Sequence, residues 1–193
     1  TTGAKALLID EAGAVVASAT TEYPMYTPQP LWAEQDPEDW WQATVASIRR
    51  VLSESGTRAG QVRGLGLTGQ MHGLVLLDRD GAVLRPCIMW NDQRTAEQCA
   101  WITSRVGAHQ VLHLTGNPVL PGFTAPKIVW VREHEPEVYS RVAKGLLPKD
   151  YIRFRLTAEF ATEVSDASGT SLVDVGKRRW SQDMLQAVEI PAG

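Results

Sequence analysis

The sequence predicts an α/β core with an antiparallel part, and three features predict it. Two short apolar runs enclose a turn near the start, proline-opened helical segments follow, and further short apolar runs are interleaved with them. The first two runs, residues 6–9 and 15–17, surround Asp10-Glu11-Ala12-Gly13 and read as a hairpin, with Gly13 free to take positive φ. After Pro24, Pro28 and Pro30, Asp36 stands as a helix cap and Pro37 suits the first helical position. Glu38 and Asp39 then meet the positive end of the helix dipole. The helix is expected over 37–53, with Trp41, Val45, Ile48 and Leu52 as its inward face.

Residues 62–68 read as a buried strand, 69–73 as a loop and 74–77 as a second strand closed by Asp78-Arg79-Asp80-Gly81. Helices are expected over 95–106, 126–134 and 136–143, the last two opened by Pro126 and Pro136. A turn over 166–170, a strand over 171–175 and a helix over 181–188 complete the chain. No repeat or low-complexity tract interrupts it, so one domain is expected.

Composition narrows the function. The chain has 193 residues, 44% hydrophobic and 21% charged, enough for a full core. Its net charge is -3 and its basic residues are scattered, which argues against nucleic acid as a partner. The two cysteines, Cys87 and Cys99, can build neither a disulfide framework nor a four-ligand zinc site, and a reducing cytoplasm fits them. No apolar run approaches the roughly 20 residues that span a bilayer, so no membrane partner is expected. The chain opens at Thr1-Thr2-Gly3 without a methionine and stops at Pro191-Ala192-Gly193, which reads as a fragment.

Two patterns are decoys. Gly64, Gly66 and Gly69 match G-x-G-x-x-G, but they lie inside a strand pattern and no amphipathic helix follows. His109 and His113 have the spacing of helical zinc ligands, but Gln110 stands where a glutamate base would follow. No Walker-type loop is present.

Three segments carry candidate chemistry. Thr1, Thr2 and Lys5 precede or open the hairpin; they are either an unstructured start or a turn that presents backbone N–H groups, hydroxyls and an ammonium to phosphate oxygens. Gln70, Met71 and His72 sit where one strand gives way to another, a place for binding groups on a rigid frame and equally for a structural histidine. Trp90, Asn91, Asp92, Gln93 and Arg94 suit sugar hydroxyls and suit capping of the next helix as well.

The segment Gly122-Phe123-Thr124-Ala125-Pro126-Lys127-Ile128-Val129-Trp130-Val131-Arg132-Glu133-His134 fits, at every restricted position, the first signature of the FGGY carbohydrate kinases. The chain resembles the N-terminal domain of that family over nearly its whole length. Thr1-Thr2-Gly3-Ala4-Lys5 is similar to the end of the family's Asp-x-Gly-Thr-Thr-x-x-Lys phosphate turn, without its aspartate and first glycine. Leu31 to Pro37, Gly69 to Gly73, Trp90 to Asp92 and Leu147 to Tyr151 resemble the xylulokinases of the family in particular. Glycerol kinases carry Gln-Arg-Glu where Gln70-Met71-His72 stands.

The resemblance implies an α/β, actin-like, ribonuclease-H-like domain with a mixed central sheet and flanking helices, with residues 1–193 as its sugar-binding N-terminal part, lacking the first strand and the end of the domain. It implies a partner ATP-binding domain outside this chain, and ATP with Mg2+ as cofactors. A ketose would meet Met71 and His72, with Gln70 and Asp92 beside them, and the ATP phosphates would meet Thr1, Thr2 and Lys5. No metal-binding residue is implied in this chain. The catalytic base would be an aspartate in a Gly-Gly-Asp-Asn segment beyond residue 193, not Asp166, so the chain alone is expected to be inactive. D-Xylulose is the implied acceptor, with ribulose, gluconate or another polyol as alternatives within the family and a non-catalytic sugar-binding module outside it. A homodimer is among the assemblies the resemblance allows.

Overall fold

The computed structural model describes residues 2–190. Strands β1 (Gly3–Ile9) and β2 (Val15–Glu22) form the expected antiparallel hairpin. At its turn Asp10 Oδ1 accepts from Ala12 N and Ala14 N, both at 2.9 Å, while Gly13 takes φ +82°. Alternation along β1 leaves Ala4, Ala6 and Leu8 half-buried and exposes Lys5, Leu7 and Ile9 on the opposite face.

After the two-residue strand β3 (Glu34–Gln35), helix α1 (Pro37–Ser55) packs on the hairpin. Asp36 caps it by accepting from Glu38 N, and Gly56 closes it in the left-handed region. Its buried face is Trp40, Ala43, Ser47 and Val51, one step round from the expected Trp41, Val45, Ile48 and Leu52, which are half-buried. Small residues at 43 and 47 let the helix lie close to the hairpin. The Ser47 hydroxyl bridges to it, donating to Ala4 O and lying 2.9 Å from Thr21 Oγ1. The bulkier row rides the flank, where the Arg155 guanidinium covers Trp41 at 4.6 Å.

Strand β4 (Val75–Leu77) pairs with β6 (Lys144–Leu146), and β5 (Cys87–Ile88) pairs with β3, both antiparallel. A bridge between Leu74 and Ile88 joins the two pairs into one ribbon. Both of its faces are buried. Val75 and Leu77 pack with Trp40, Met89 and Tyr151, while Leu74 and Leu76 pack with Ile88, Trp130 and Val131 on the other side. A further core gathers helices α2 (Ala96–Val106), α3 (Ala108–Thr115) and α4 (Thr124–His134), with Ile102, Val111, Leu114 and Val129 at its centre. After the short helix α5 (Pro136–Tyr139), helix α6 (Pro148–Thr157) adds Tyr151 to the first face. Helix α7 (Val164–Ser168), strands β7 (Val173–Asp174) and β8 (Arg179–Trp180) and helix α8 (Gln182–Ala187) follow. Among the described residues the sheet is thus realised as antiparallel pairs set among helices.

Several expectations need correction. Residues 62–68 form no strand, because no neighbouring chain among the described residues offers them ladder bonds; Val62 and Leu65 are exposed. The helix expected over 136–143 stops at Tyr139, since the chain turns there to enter β6. Residues 166–168 are helical because the Glu163 side chain caps α7, accepting from Ser165 N at 2.6 Å and Asp166 N at 2.8 Å.

Candidate functional site

The loop between residues 69 and 73 is shaped by one unusual residue. His72 takes φ +68°, and the amide of Gly73 donates to the carbonyl of Met71 at 2.8 Å across it. This three-residue γ-turn is a strained conformation for a residue with a side chain, and such strain persists only where the surroundings over-determine it.

The surroundings do so from three sides. The His72 carbonyl accepts from Lys127 Nζ at 2.9 Å and from Thr124 Oγ1 at 3.1 Å, both in the first turn of α4. The imidazole packs against Phe123, with ring centroids 4.7 Å apart, and its Nδ1 lies 2.9 Å from the carbonyl oxygen of Gly169. Gly73 fits tightly, since a Cβ there would stand 2.6 Å from Pro148 Cγ.

A carbonyl oxygen can only accept, so Nδ1 carries the proton and donates to it. Burial lowers the His72 pKa below its ordinary value, against the opposing pull of the Gly169 bond, and favours the neutral ring. Nε2 is then an acceptor with no protein partner among the described residues. Met71, the residue before His72 in the chain, is 38% exposed. Gln70 donates through Nε2 to Gln35 Oε1 at 3.2 Å, and its own Oε1 is buried without a partner among the described residues.

Gly169 is placed by an ionic knot. Lys149 Nζ lies 2.9 Å from Asp150 Oδ1, 3.1 Å from Asp166 Oδ2 and 3.5 Å from Glu163 Oε1, tying α7 to α6. Burial works against the Lys149 charge, but the bonds to Asp150 and Asp166 outweigh it and its pKa rises.

Asp92 is fully buried and all its acceptor positions are used within the protein. Oδ1 accepts from Arg94 N at 3.0 Å and Nε at 2.9 Å; Oδ2 accepts from Ala33 N at 2.7 Å and from the second guanidinium arm of Arg94 at 2.8 Å. Arg94 also meets Glu34 Oε1 at 2.8 Å and lies over the Trp32 ring at 3.6 Å. The 90–94 loop is thereby fixed beside the 121–124 loop, where a Cβ on Gly122 would meet Trp90 O at 2.7 Å.

The structure therefore gathers Gln70, Met71 and His72 with Phe123, Thr124, Lys127 and Gly169, and sets Asp92 in the adjoining frame. Thr2 and Lys5 belong to the hairpin. Lys5 is exposed, and neither residue has a hydrogen bond or ion pair to the 70–73 loop among the described residues. Thr1 lies outside the described residues. His109 and His113 are exposed on α3, and no group of three or more His, Cys, Asp or Glu is gathered as for a metal ion among the described residues.

A cleft of about 490 Å³ lies on the far side of the Lys149 knot, lined by Leu65, Leu67, Lys149, Arg153 and Glu163 among others; Met71 and His72 do not line it. The sequence reading missed Lys127 and Gly169 as partners of His72. Lys127 carried a signal, a lone charge between Ala125-Pro126 and Ile128-Val129-Trp130, where a solvated face cannot lie. Gly169 carried none, since its part is a backbone carbonyl.

The chain is similar to known proteins over nearly its whole length. The chain is 49% identical over 190 residues to a xylulose kinase of Escherichia coli (strain K12), covering 98% of this chain and 38% of that protein. It is 50% identical over 190 residues to a xylulose kinase of Klebsiella pneumoniae, with the same coverage. The crystal structure of xylulose kinase from Rhodospirillum rubrum superposes with a TM-score of 0.93 at 31% identity, over 99% of this chain and 39% of that one. The chain thus spans a little over a third of the length of the relatives it matches. Over residues 1–193 it matches the N-terminal domain of the FGGY family of carbohydrate kinases, and it belongs to that family.

Proposed function

We propose that the full-length protein transfers the γ-phosphoryl group of ATP to the terminal hydroxyl of D-xylulose, giving D-xylulose 5-phosphate. The observation that carries this reading is the imidazole of His72, held through Nδ1 by the Gly169 carbonyl and packed on Phe123, with no partner on Nε2 among the described residues. Nε2 accepts a ketose hydroxyl while Met71 lies against the carbon chain, and the two fix the sugar so that its terminal hydroxyl is in line with the phosphorus. Gln70 offers its buried, unpartnered Oε1 to the same ligand. Asp92 serves the site by bracing the 90–94 loop against which the sugar lies.

The hairpin has groups that fit a phosphate. Lys5 is exposed with no carboxylate paired to it among the described residues, and Thr2 is exposed with a hydroxyl to donate. In the proposal these two, with Thr1, hold the phosphates, and Lys5 meets charge that grows on the transferred group. ATP brings the phosphoryl group. No magnesium ligand set is gathered among the described residues, and no step is assigned to the ion through them. The proton acceptor for the ketose hydroxyl is assigned to an aspartate outside this chain. The two free cysteines, both buried, are in keeping with a cytoplasmic setting.

Release of ADP by the full-length protein with D-xylulose, D-ribulose, gluconate and glycerol tests the reading. The highest kcat/KM is expected with D-xylulose. A higher value with another acceptor overturns the substrate, and tight xylulose binding with no ADP release for any of the four would make the protein a sugar-binding module instead.

A further inference from the structure

The strained turn at His72 needs something to hold it, and the residues that do so are not those expected to touch the sugar. Lys127 is fully buried, with both of its hydrogen bonds on backbone carbonyls, to His72 O at 2.9 Å and to Gly122 O at 2.7 Å. No carboxylate lies within ion-pair distance of it among the described residues. A buried ammonium without a counter-ion is costly, and core packing alone would favour an apolar side chain of the same length. Desolvation accordingly pulls its pKa down to about 8.

What the ammonium accomplishes is a connection. The Gly122 carbonyl immediately precedes Phe123, which packs against the His72 ring, and Thr124 follows with a second donor to the His72 carbonyl. One turn of α4 thus holds both ends of the same residue, its peptide and its imidazole. We propose that Lys127 and Thr124 are positioning residues, which lock the His72 peptide in its left-handed turn and so set the direction of the ring that binds the ketose. This rests on the reading of His72 given above. Without the two donors the turn relaxes toward ordinary backbone, and Nε2 swings away from the sugar while the hairpin residues proposed to hold the phosphates are untouched.

The test uses the full-length protein and four substitutions. Thr124→Val keeps the shape and removes one donor to His72 O, Thr124→Ser keeps the donor, Lys127→Met keeps the stem and removes the ammonium, and His72→Ala removes the ring. Thr124→Val and Lys127→Met are each expected to raise KM for D-xylulose about five- to tenfold with KM for ATP within about twofold of wild type, while Thr124→Ser stays near wild type. Should Lys127→Met fail to fold, the Thr124 pair decides alone.

If His72→Ala impairs xylulose selectively but Thr124→Val changes xylulose and ATP alike, or changes only the melting temperature, the positioning role is wrong and the substrate reading stands. If His72→Ala itself is not selective for xylulose, the reading falls and takes the positioning role with it.

Discussion

The imidazole of His72 is tied through Nδ1 to the carbonyl oxygen of Gly169, 2.9 Å away and 97 positions further along the chain. That bond fixes the tautomer and leaves Nε2 as an acceptor. The approach is possible because residue 169 has no Cβ; one added there would meet the ring itself, with Nδ1 at 2.5 Å.

Gly169→Ala is therefore expected to displace the ring without straining its own backbone, which has φ -74°. In the full-length protein kcat/KM for D-xylulose should fall roughly ten- to hundredfold, the loss expected when one substrate-fixing hydrogen bond goes. KM for ATP should stay close to wild type. An equal loss toward both ligands would show that the glycine serves the fold rather than the ring.

Asp92 gives a different expectation. Replacing it with asparagine sets an amide nitrogen against donors and leaves Arg94 with Glu34 as its remaining carboxylate among the described residues, so Asp92→Asn should destabilise by roughly 1–3 kcal/mol, the cost of a buried donor left without an acceptor. Urea unfolding measures this. An unchanged midpoint combined with a selective rise in KM for D-xylulose would put Asp92 in contact with substrate.

Lys5 is expected to act on the rate. An exposed cation that meets charge growing on phosphoryl oxygens works mainly in the transition state, so Lys5→Met should lower kcat more than it raises KM for ATP. Lys5→Arg should keep part of the rate. Wild-type turnover in both would remove the hairpin from the phosphate site.

Lys127 makes stability depend on pH. Its folded pKa of about 8 lies below the unfolded value near 10.5, so between those values the unfolded chain holds a proton that the folded one has lost. Its contribution is fully present above about 10.5 and is lost as pH falls through 8. Wild-type stability relative to Lys127→Met should therefore rise between pH 8 and pH 10. A constant difference over that interval would mean that the lysine keeps its charge when folded.

The hairpin and α1 were legible because their signals are local: Asp10 and Gly13 make the turn, and Asp36 and Pro37 start the helix. The facing of α1 was not, since Ala43 and Ser47 are buried for closeness rather than apolarity. Residues 62–68 have strand composition, but a strand is a relation to a neighbour and none lies beside them among the described residues. Pro148 opens α6 as Pro37 opens α1, and this start signal was overlooked. Gln70, Met71 and His72 stand out in the sequence by their place between apolar runs. What holds them comes from residues 122–127 and 169, a juxtaposition that only the tertiary fold creates.

The central claim is that the 70–73 loop binds the ketose, and the most direct measurement is calorimetric titration of the full-length protein with D-xylulose, wild type beside His72→Ala, with no nucleotide present. Saturable binding by wild type, weakened roughly ten- to hundredfold in His72→Ala with an unchanged melting temperature, is the expected result. Equal affinity in the two proteins would contradict it.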